Sequence, residues 1–235
     1  MKVIWNTFYL NVLFIFAGLL FSLTIAIVLS EINGRYFKKV TQSVVILPHF
    51  ISWSVVAMFS TALLSSDTGL INSVLEGLGR EPIKFYSEAG VWPAILAILR
   101  IWHGAGFGSI VYLAAIMGID QEIYEAAEID GASRVRRIFS ITLPLLKNTV
   151  ILLLILNVGK IFNGDFGLIY AMVGNNTLLY PTTDIIDTYV YRALMELGDM
   201  GMSSAVGLAQ SVVGFIFVLL TNAIAKRASS ESALF

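Results

Sequence analysis

Cysteine is absent from all 235 residues, which excludes disulfide frameworks, thiolate metal sites and cysteine nucleophiles. Charge is scarce: Asp, Glu, Lys and Arg make up 13% of the chain, about half the share of a soluble domain. The net charge of -1 gives no general pull towards nucleic acid, and none is expected as a partner. The two histidines, His49 and His103, lie in different apolar segments, which argues against a histidine metal site. No Walker A loop, nucleophile–base pair or pair of facing carboxylates is legible, so no catalytic residue is expected and the chain reads as a non-enzyme. The first apolar run is too long for a signal-peptide core and has no small-residue cleavage site.

What is present is apolar sequence, at 57% hydrophobic residues and a mean hydropathy of +0.81. A bilayer core of about 30 Å needs roughly 20 apolar residues in a helix. Five runs qualify, at 4–30, 43–64, 91–117, 143–163 and 203–225. The fourth is the weakest, since Lys147 and Asn148 sit near its start. Lipid offers no hydrogen-bond partners, so these runs are read as helices. The expected fold is an all-α polytopic membrane helical bundle forming one domain over 1–235. A polar loop at 118–148 and two outer segments at 65–90 and 164–200 separate the spans.

Basic residues orient the chain. Arg35, Lys38, Lys39, Arg134, Arg136, Arg137, Lys147, Lys226 and Arg227 fall on one side of the five spans, against Lys2, Arg80, Lys84 and Arg192 on the other. The positive-inside rule then puts loop 118–148 and the C-terminus in the cytoplasm, in a multi-pass protein of the plasma membrane. The N-terminus falls outside, which suggests a further span upstream.

Loop 118–148 carries most of the charge pattern. Asp120 reads as an N-cap and Gln121 to Ile129 as a short helix ended by Asp130-Gly131. Glu122, Glu125 and Glu128 share one face, where like charges repel. Ser133 reads as the cap of a second helix, with Val135, Ile138, Phe139 and Thr142 at helical spacing. Its first turn carries Arg134, Arg136 and Arg137, the wrong sign for a helix N-terminus. Each helix alone is electrostatically poor, but together they can pair acids with arginines. Two readings fit: a compact knob with a small-residue face at Ala126, Ala127 and Gly131 that docks on a partner, or a solvated loop held by its own ion pairs.

The run Glu125-Ala126-Ala127, then Gly131, then Ile141, Leu143 and Pro144 resembles the EAA signature of binding-protein-dependent ABC importer permeases at every position. The similarity extends to Asn6-Thr7, Leu47 to Trp53, Tyr112 to Ala115, Tyr180 to Arg192 and Ala205 to Leu208, a set that looks like the oligosaccharide or polysaccharide branch of the sugar permeases. The resemblance implies the transmembrane domain of a type I importer in a bacterial plasma membrane. Its implied partners are a second homologous permease, two cytoplasmic ABC ATPase subunits that bind ATP and magnesium, an extracytoplasmic sugar-binding lipoprotein and membrane lipid; no cofactor is expected in this chain. Glu125, Ala126, Ala127, Asp130, Gly131 and Ala132 would form the ATPase-coupling contact. Such permeases usually carry one more span before the one that begins near Asn6, so the chain is expected to be truncated there or to dispense with that helix.

Other polar features carry less. Arg100, Trp102 and His103 in the third run and Asn157 in the fourth are candidate pathway residues, since ionisable groups at membrane depth usually face a cavity or a partner. Snorkelling of Arg100 and of Lys160, with a helix-to-helix bond from His103, is the better explanation of them. His49 reads as a local cap or interfacial contact. Small residues four apart, Gly104 with Gly108 and Ser203 with Gly207 and Ser211, are explained by close helix packing. A short helix is expected at Leu70 to Leu78. An amphipathic stretch from Asp184 to Leu197 presents Ile185, Ile186, Tyr189, Val190, Ala193, Leu194 and Leu197 on one side, for interfacial burial or to cover a cavity mouth. Three alternatives remain: a permease for a monosaccharide or glycerol-type solute, an ATP-independent channel or secondary transporter, and an intramembrane enzyme, for which Arg100, His103 and Lys160 make a poor set.

Overall fold

The computed structural model describes residues 1–228 and contains, among them, helices and turns without a strand. In chain order the helices are α1 (Lys2–Glu31), α2 (Arg35–Ile46), α3 (Trp53–Leu64), α4 (Leu70–Gly77), α5 (Trp92–Met117), α6 (Gln121–Ile129), α7 (Arg134–Arg137), α8 (Leu143–Val158), α9 (Phe166–Val173), α10 (Tyr180–Thr183), α11 (Ile186–Leu197) and α12 (Met200–Ala228). Four stretches are long and apolar enough to cross a membrane: Lys2–Glu31, Ala89–Met117, Arg134–Val158 and Met200–Lys226. Lys226 therefore sits within the last helix instead of in a tail, and the Arg227 side chain lies outside the described residues.

Two of the five runs differ from the sequence reading. The run at 43–64 is not one helix. It is interrupted at Ile51-Ser52, so that Arg35–Phe50 and Trp53–Leu64 qualify as a span only as a broken pair. Pro48 and the Ser52 cap, whose Oγ accepts the Val55 N–H at 3.4 Å, account for the break. The run at 143–163 begins earlier and ends sooner: α7, a π-helical turn at Ile138–Thr142 and α8 form one stretch from Arg134 to Val158. Pro144 offers no N–H and its ring crowds the carbonyl one turn back, and the widened turn just before it relieves that clash. Lys160 consequently lies beyond the helix and is exposed.

The chain divides into two compact units, and the division falls within α1, α5 and α12. The first unit comprises Met1–Phe14, Phe50–Arg100 and Lys160–Gly214. Its core is Leu10, Phe14, Trp92, Leu96, Leu168, Ile169, Met172, Leu179 and Ile185. Helix α9 falls in the outer segment 164–200, where the sequence pattern marks no helix before Asp184. It supplies four buried residues: Leu168, Ile169, Met172 and Val173.

Buried polar side chains pin this unit. The Asn6 amide nitrogen faces the carbonyls of Tyr180, Pro181 and Asp184 at 3.4, 3.3 and 3.1 Å. Thr7 Oγ1 accepts the Ile186 N–H at 2.9 Å, satisfying an orphan donor at the start of α11. Asp184 takes Arg192 Nη2 at 2.8 and 2.9 Å, with the guanidinium 4.3 Å from the centroid of Tyr180. Asn72 ties residues 65–83 together by donating to Ser65, Ser66 and Ile83 carbonyls and accepting the Ile83 N–H. Ile185, just before α11, and Thr188 and Ala193 on it are buried, whereas Tyr189 is 43% exposed, so the apolar stripe read from sequence is only partly interior. The Leu197 side chain lies outside the described residues.

The second unit comprises Ile15–His49, Ile101–Gly159 and the chain from Phe215 on. Ala26, Leu29, Tyr112, Leu113, Ile116 and Leu146 form its core. Gly108 meets Ser22 of α1, as small-residue packing requires, and Gly106, which has no mark in the sequence pattern, lies against the Val45 carbonyl. Gly207, which belongs to the first unit, has open space where a side chain would stand.

Two outcomes are expected. Replacing Asn6 by Ala leaves buried carbonyls without their donor, at a cost of about 1–3 kcal/mol, read as a lower thermal midpoint of the detergent-solubilised protein. Asn6→Asp costs more, because a carboxylate would face three carbonyl oxygens. Asp187 is the second case. Burial raises its pKa above the ordinary 3.8, and the Gly164 N–H and Gln210 amide that it accepts pull it back only in part. The associated stability is present below pH 3.8 and is lost as pH rises through the higher folded value. Asp187→Asn keeps an oxygen for both donors, so it raises the midpoint at pH 7 and flattens its acid-side pH dependence.

Candidate functional site

The hairpin from Gly118 to Thr142 is built by local rules. Asp120 Oδ1 accepts the Glu122 N–H at 3.0 Å and starts α6. At the other end the Gly131 N–H reaches the Glu128 carbonyl at 3.0 Å and the Ala132 N–H reaches that of Ala127 at 2.9 Å. This pair of bonds is a Schellman closure. It needs a left-handed residue, and Gly131 supplies it at φ +77°. Ser133 Oγ then accepts the Arg136 N–H at 3.3 Å and starts α7.

Two cross-links clamp α6 to the following helix. Arg137 Nη1 meets Glu128 Oε2 at 2.8 Å, the acid–arginine pairing expected of the hairpin. Glu128 is 72% exposed in its side chain, so that pair contributes about 0.2–1 kcal/mol. The Tyr124 and Thr142 hydroxyls lie 2.9 Å apart, and Thr142 is buried.

The six coupling candidates are brought together at the tip. Glu125, Ala126, Asp130 and Gly131 are exposed, with Ala127 and Ala132 half-buried. Ile129 beside them is 86% exposed, a large apolar side chain where solvent alone would favour a polar one. Ala127, Asp130, Ala132, Arg136 and Ser140, among others, line a hollow of about 240 Å³. On the other flank a cleft of about 570 Å³ is lined by Glu31, Lys38, Gln121, Tyr124, Glu128 and Arg134 among others.

The pathway candidates do not gather into one site. Arg100 Nε is paired with Asp165 Oδ2 at 3.1 Å. Asp165 also caps α9, accepting the Leu168 N–H at 3.1 Å. The next turn carries a cluster in which Phe166, Tyr170 and Tyr191 rings lie 4.9–5.1 Å apart. Asp165 and this cluster were missed in the sequence, although an Asp directly before the apolar run Phe166 to Val173 is a helix-start signal. Trp102 is 48% exposed and His103 is buried. His103 sits 5.3 Å from the ring of His49, which stacks on Phe107 at 4.2 Å. Asn157 donates to Leu153 of its own helix at 2.7 Å.

Known proteins resemble this chain in sequence and in fold. Residues 18–230 match the model of the family described as binding-protein-dependent transport system inner membrane component. The protein LplB of Bacillus subtilis is 40% identical over 222 residues, covering 94% of this chain and 68% of LplB. The polygalacturonan/rhamnogalacturonan transport system permease protein YteP of the same organism is 38% identical over 207 residues, covering 88% of this chain and 64% of YteP. The chain thus spans about two thirds of the length of these relatives. Among solved structures, a chain of a bacterial alginate ABC transporter, crystallised with an alginate pentasaccharide-bound periplasmic protein, superposes with a TM-score of 0.90 at 34% identity, covering 97% of this chain and 78% of that one. The chain belongs to the family of binding-protein-dependent transport system inner membrane components.

Proposed function

We propose that this chain is one permease subunit of an ATP-driven importer of oligosaccharides or related sugars, and that the α6–α7 hairpin receives the motion of a cytoplasmic ATPase. The observation that carries the reading is the hairpin's construction: an exposed tip at Glu125–Gly131 joined to a transmembrane helix without a flexible linker. A displacement of the tip passes through the Schellman turn and the Glu128–Arg137 and Tyr124–Thr142 clamps into the stretch Arg134–Val158. Rigid-body tilting of that helix is the kind of step that switches a central cavity between outward and inward access. The π-helical turn at Ile138–Thr142 is the place along it where bending is easiest.

In this assembly a second homologous permease completes the pathway. Two ABC ATPase subunits bind ATP and magnesium, and an extracytoplasmic binding protein delivers the solute. The basic-residue asymmetry supports a cytoplasmic hairpin and C-terminus, and the bacterial sources of the relatives support a bacterial membrane. Sugar as the solute is supported by the polysaccharide names of YteP and the alginate transporter. It is also supported by the ring cluster Phe166, Tyr170 and Tyr191 beside the Arg100–Asp165 pair, since pyranose faces stack on aromatics and sugar hydroxyls and carboxylates bond to guanidinium. The coupling role falls to Glu125, Ala126, Ala127, Asp130, Gly131 and Ala132, with Asp130 ending α6.

In the reconstituted transporter, a sugar-loaded binding protein is expected to stimulate ATP hydrolysis, and uptake is expected to stop when ATP is depleted. Glu125→Lys reverses a charge at the tip. A Cβ on Gly131 meets no neighbour within 4 Å, so the main folding cost of Gly131→Leu is the left-handed strain of about 1–2 kcal/mol, while the leucine is added at the proposed contact. Both variants are expected to insert and to lose ATP-coupled uptake; normal uptake by either one overturns the docking role.

A further inference from the structure

The larger cleft beside the coupling hairpin holds two charges that are each badly placed on their own helix. Glu31 is the last residue of α1, where the negative end of the helix dipole disfavours a carboxylate. Arg134 opens the stretch Arg134–Val158, where the positive end disfavours a guanidinium. Both line the same cleft of about 570 Å³, yet neither belongs to an ion pair among the described residues. Lys38 of α2 lines it too and has no ion pair either. On α6, Glu128 uses Oε2 for Arg137, and its second oxygen has no partner among the described residues. Ile116 is shared between the cleft and the packed layer that includes Leu29 and Leu146. The cleft therefore opens directly off the contact of α1, α5 and Arg134–Val158, where a tilt of the last of these changes its width.

We propose that this cleft is a latch. When the hairpin rocks towards the α1–α2 turn, Glu31 pairs with Arg134 and Lys38 with Glu128. The motion of the tip then passes into α1 as well as into Arg134–Val158. Closure relieves both dipole conflicts at once, because each misplaced charge gains a counter-ion. The Glu128–Arg137 clamp survives it, since a carboxylate can accept from two cations. Exposed ion pairs are individually weak, which suits a contact that must release in every cycle. The inference rests on the coupling role given above and extends it to a second membrane helix; it is independent of the solute carried.

The chain contains no cysteine, so the pair Asn33→Cys and Gln121→Cys, both exposed and lining the cleft, reports its width without touching the four charges. In the complete transporter in nanodiscs, disulfide formation within this subunit is read by peptide mass. Its rate is expected to differ between the nucleotide-free state and the state trapped with ATP and vanadate by about tenfold, the scale that two exposed ion pairs support. Glu31→Arg and Arg134→Glu each place the favoured sign at a helix end. Each is therefore expected to raise the thermal midpoint while lowering ATP-coupled uptake several-fold, a combination that misfolding does not produce. The double variant Glu31→Arg with Arg134→Glu is expected to restore uptake. Equal disulfide rates in the two states of a working transporter overturn the latch alone, whereas absence of ATP-coupled uptake in the unmodified transporter overturns the coupling role beneath it. Single variants with normal uptake, or a double variant no better than either, overturn the pairing.

Discussion

One amide side chain, that of Asn6, organises the first unit. Its nitrogen lies within 3.1–3.4 Å of three carbonyl oxygens from residues 174–178 positions away. The neighbouring Thr7 hydroxyl closes the start of α11. Two adjacent residues near the start of the chain thus satisfy the backbone of a turn close to its other end. The Asp184–Arg192 pair and the Tyr180 ring then stack on the same turn. Polar pinning of this kind matters more here than in a soluble domain. Lipid tails are as apolar as leucine, so burying one apolar helix against another gains little by exclusion from solvent. An unmet backbone group in the same place remains costly.

Seen through these contacts, two separate stretches of sequence similarity become one physical object. Asn6-Thr7 and Tyr180 to Arg192 both belong to the resemblance that pointed to a permease, yet nothing in their spacing says that they touch. The fold class, the ends of α1 and α5 and the caps Asp120, Gly131 and Ser133 were legible because they rest on local rules of hydropathy, capping and left-handed glycine. The interruption at Ile51-Ser52 was less so, since the apolar run continues across it and only Pro48 and Ser52 mark it. Helix α9 escaped notice because Gly164 and Gly167 dilute its pattern; tertiary burial of Leu168, Ile169 and Met172 decides it. Arg100 was read either as a pathway residue or as one that snorkels to the interface; its partner Asp165 lies 65 residues on, beyond any periodicity.

Glycine has two different meanings in this chain. Gly131 is required by its dihedral angle and has open space around it, whereas Gly106 is required by a backbone that passes where its side chain would be. The first sets the geometry of a tip and the second sets the rotation of a helix. Sequence alone does not separate the two, because both appear as a glycine beside an apolar run.

The join between α6 and Arg134–Val158 has a consequence for building chimaeric transporters. Between the end of α6 and the start of α7 the chain has no slack: Asp130, Gly131, Ala132 and Ser133 each take part in a hydrogen bond of the closure or of the next cap. Inserting or deleting a single residue there would break the closure or the Ser133 cap and pull Glu128 away from Arg137. The transferable module is therefore neither the polar loop nor the membrane span taken alone. It runs from Asp120 to Val158, and swaps between related permeases that cut inside it would graft a handle onto the wrong shaft.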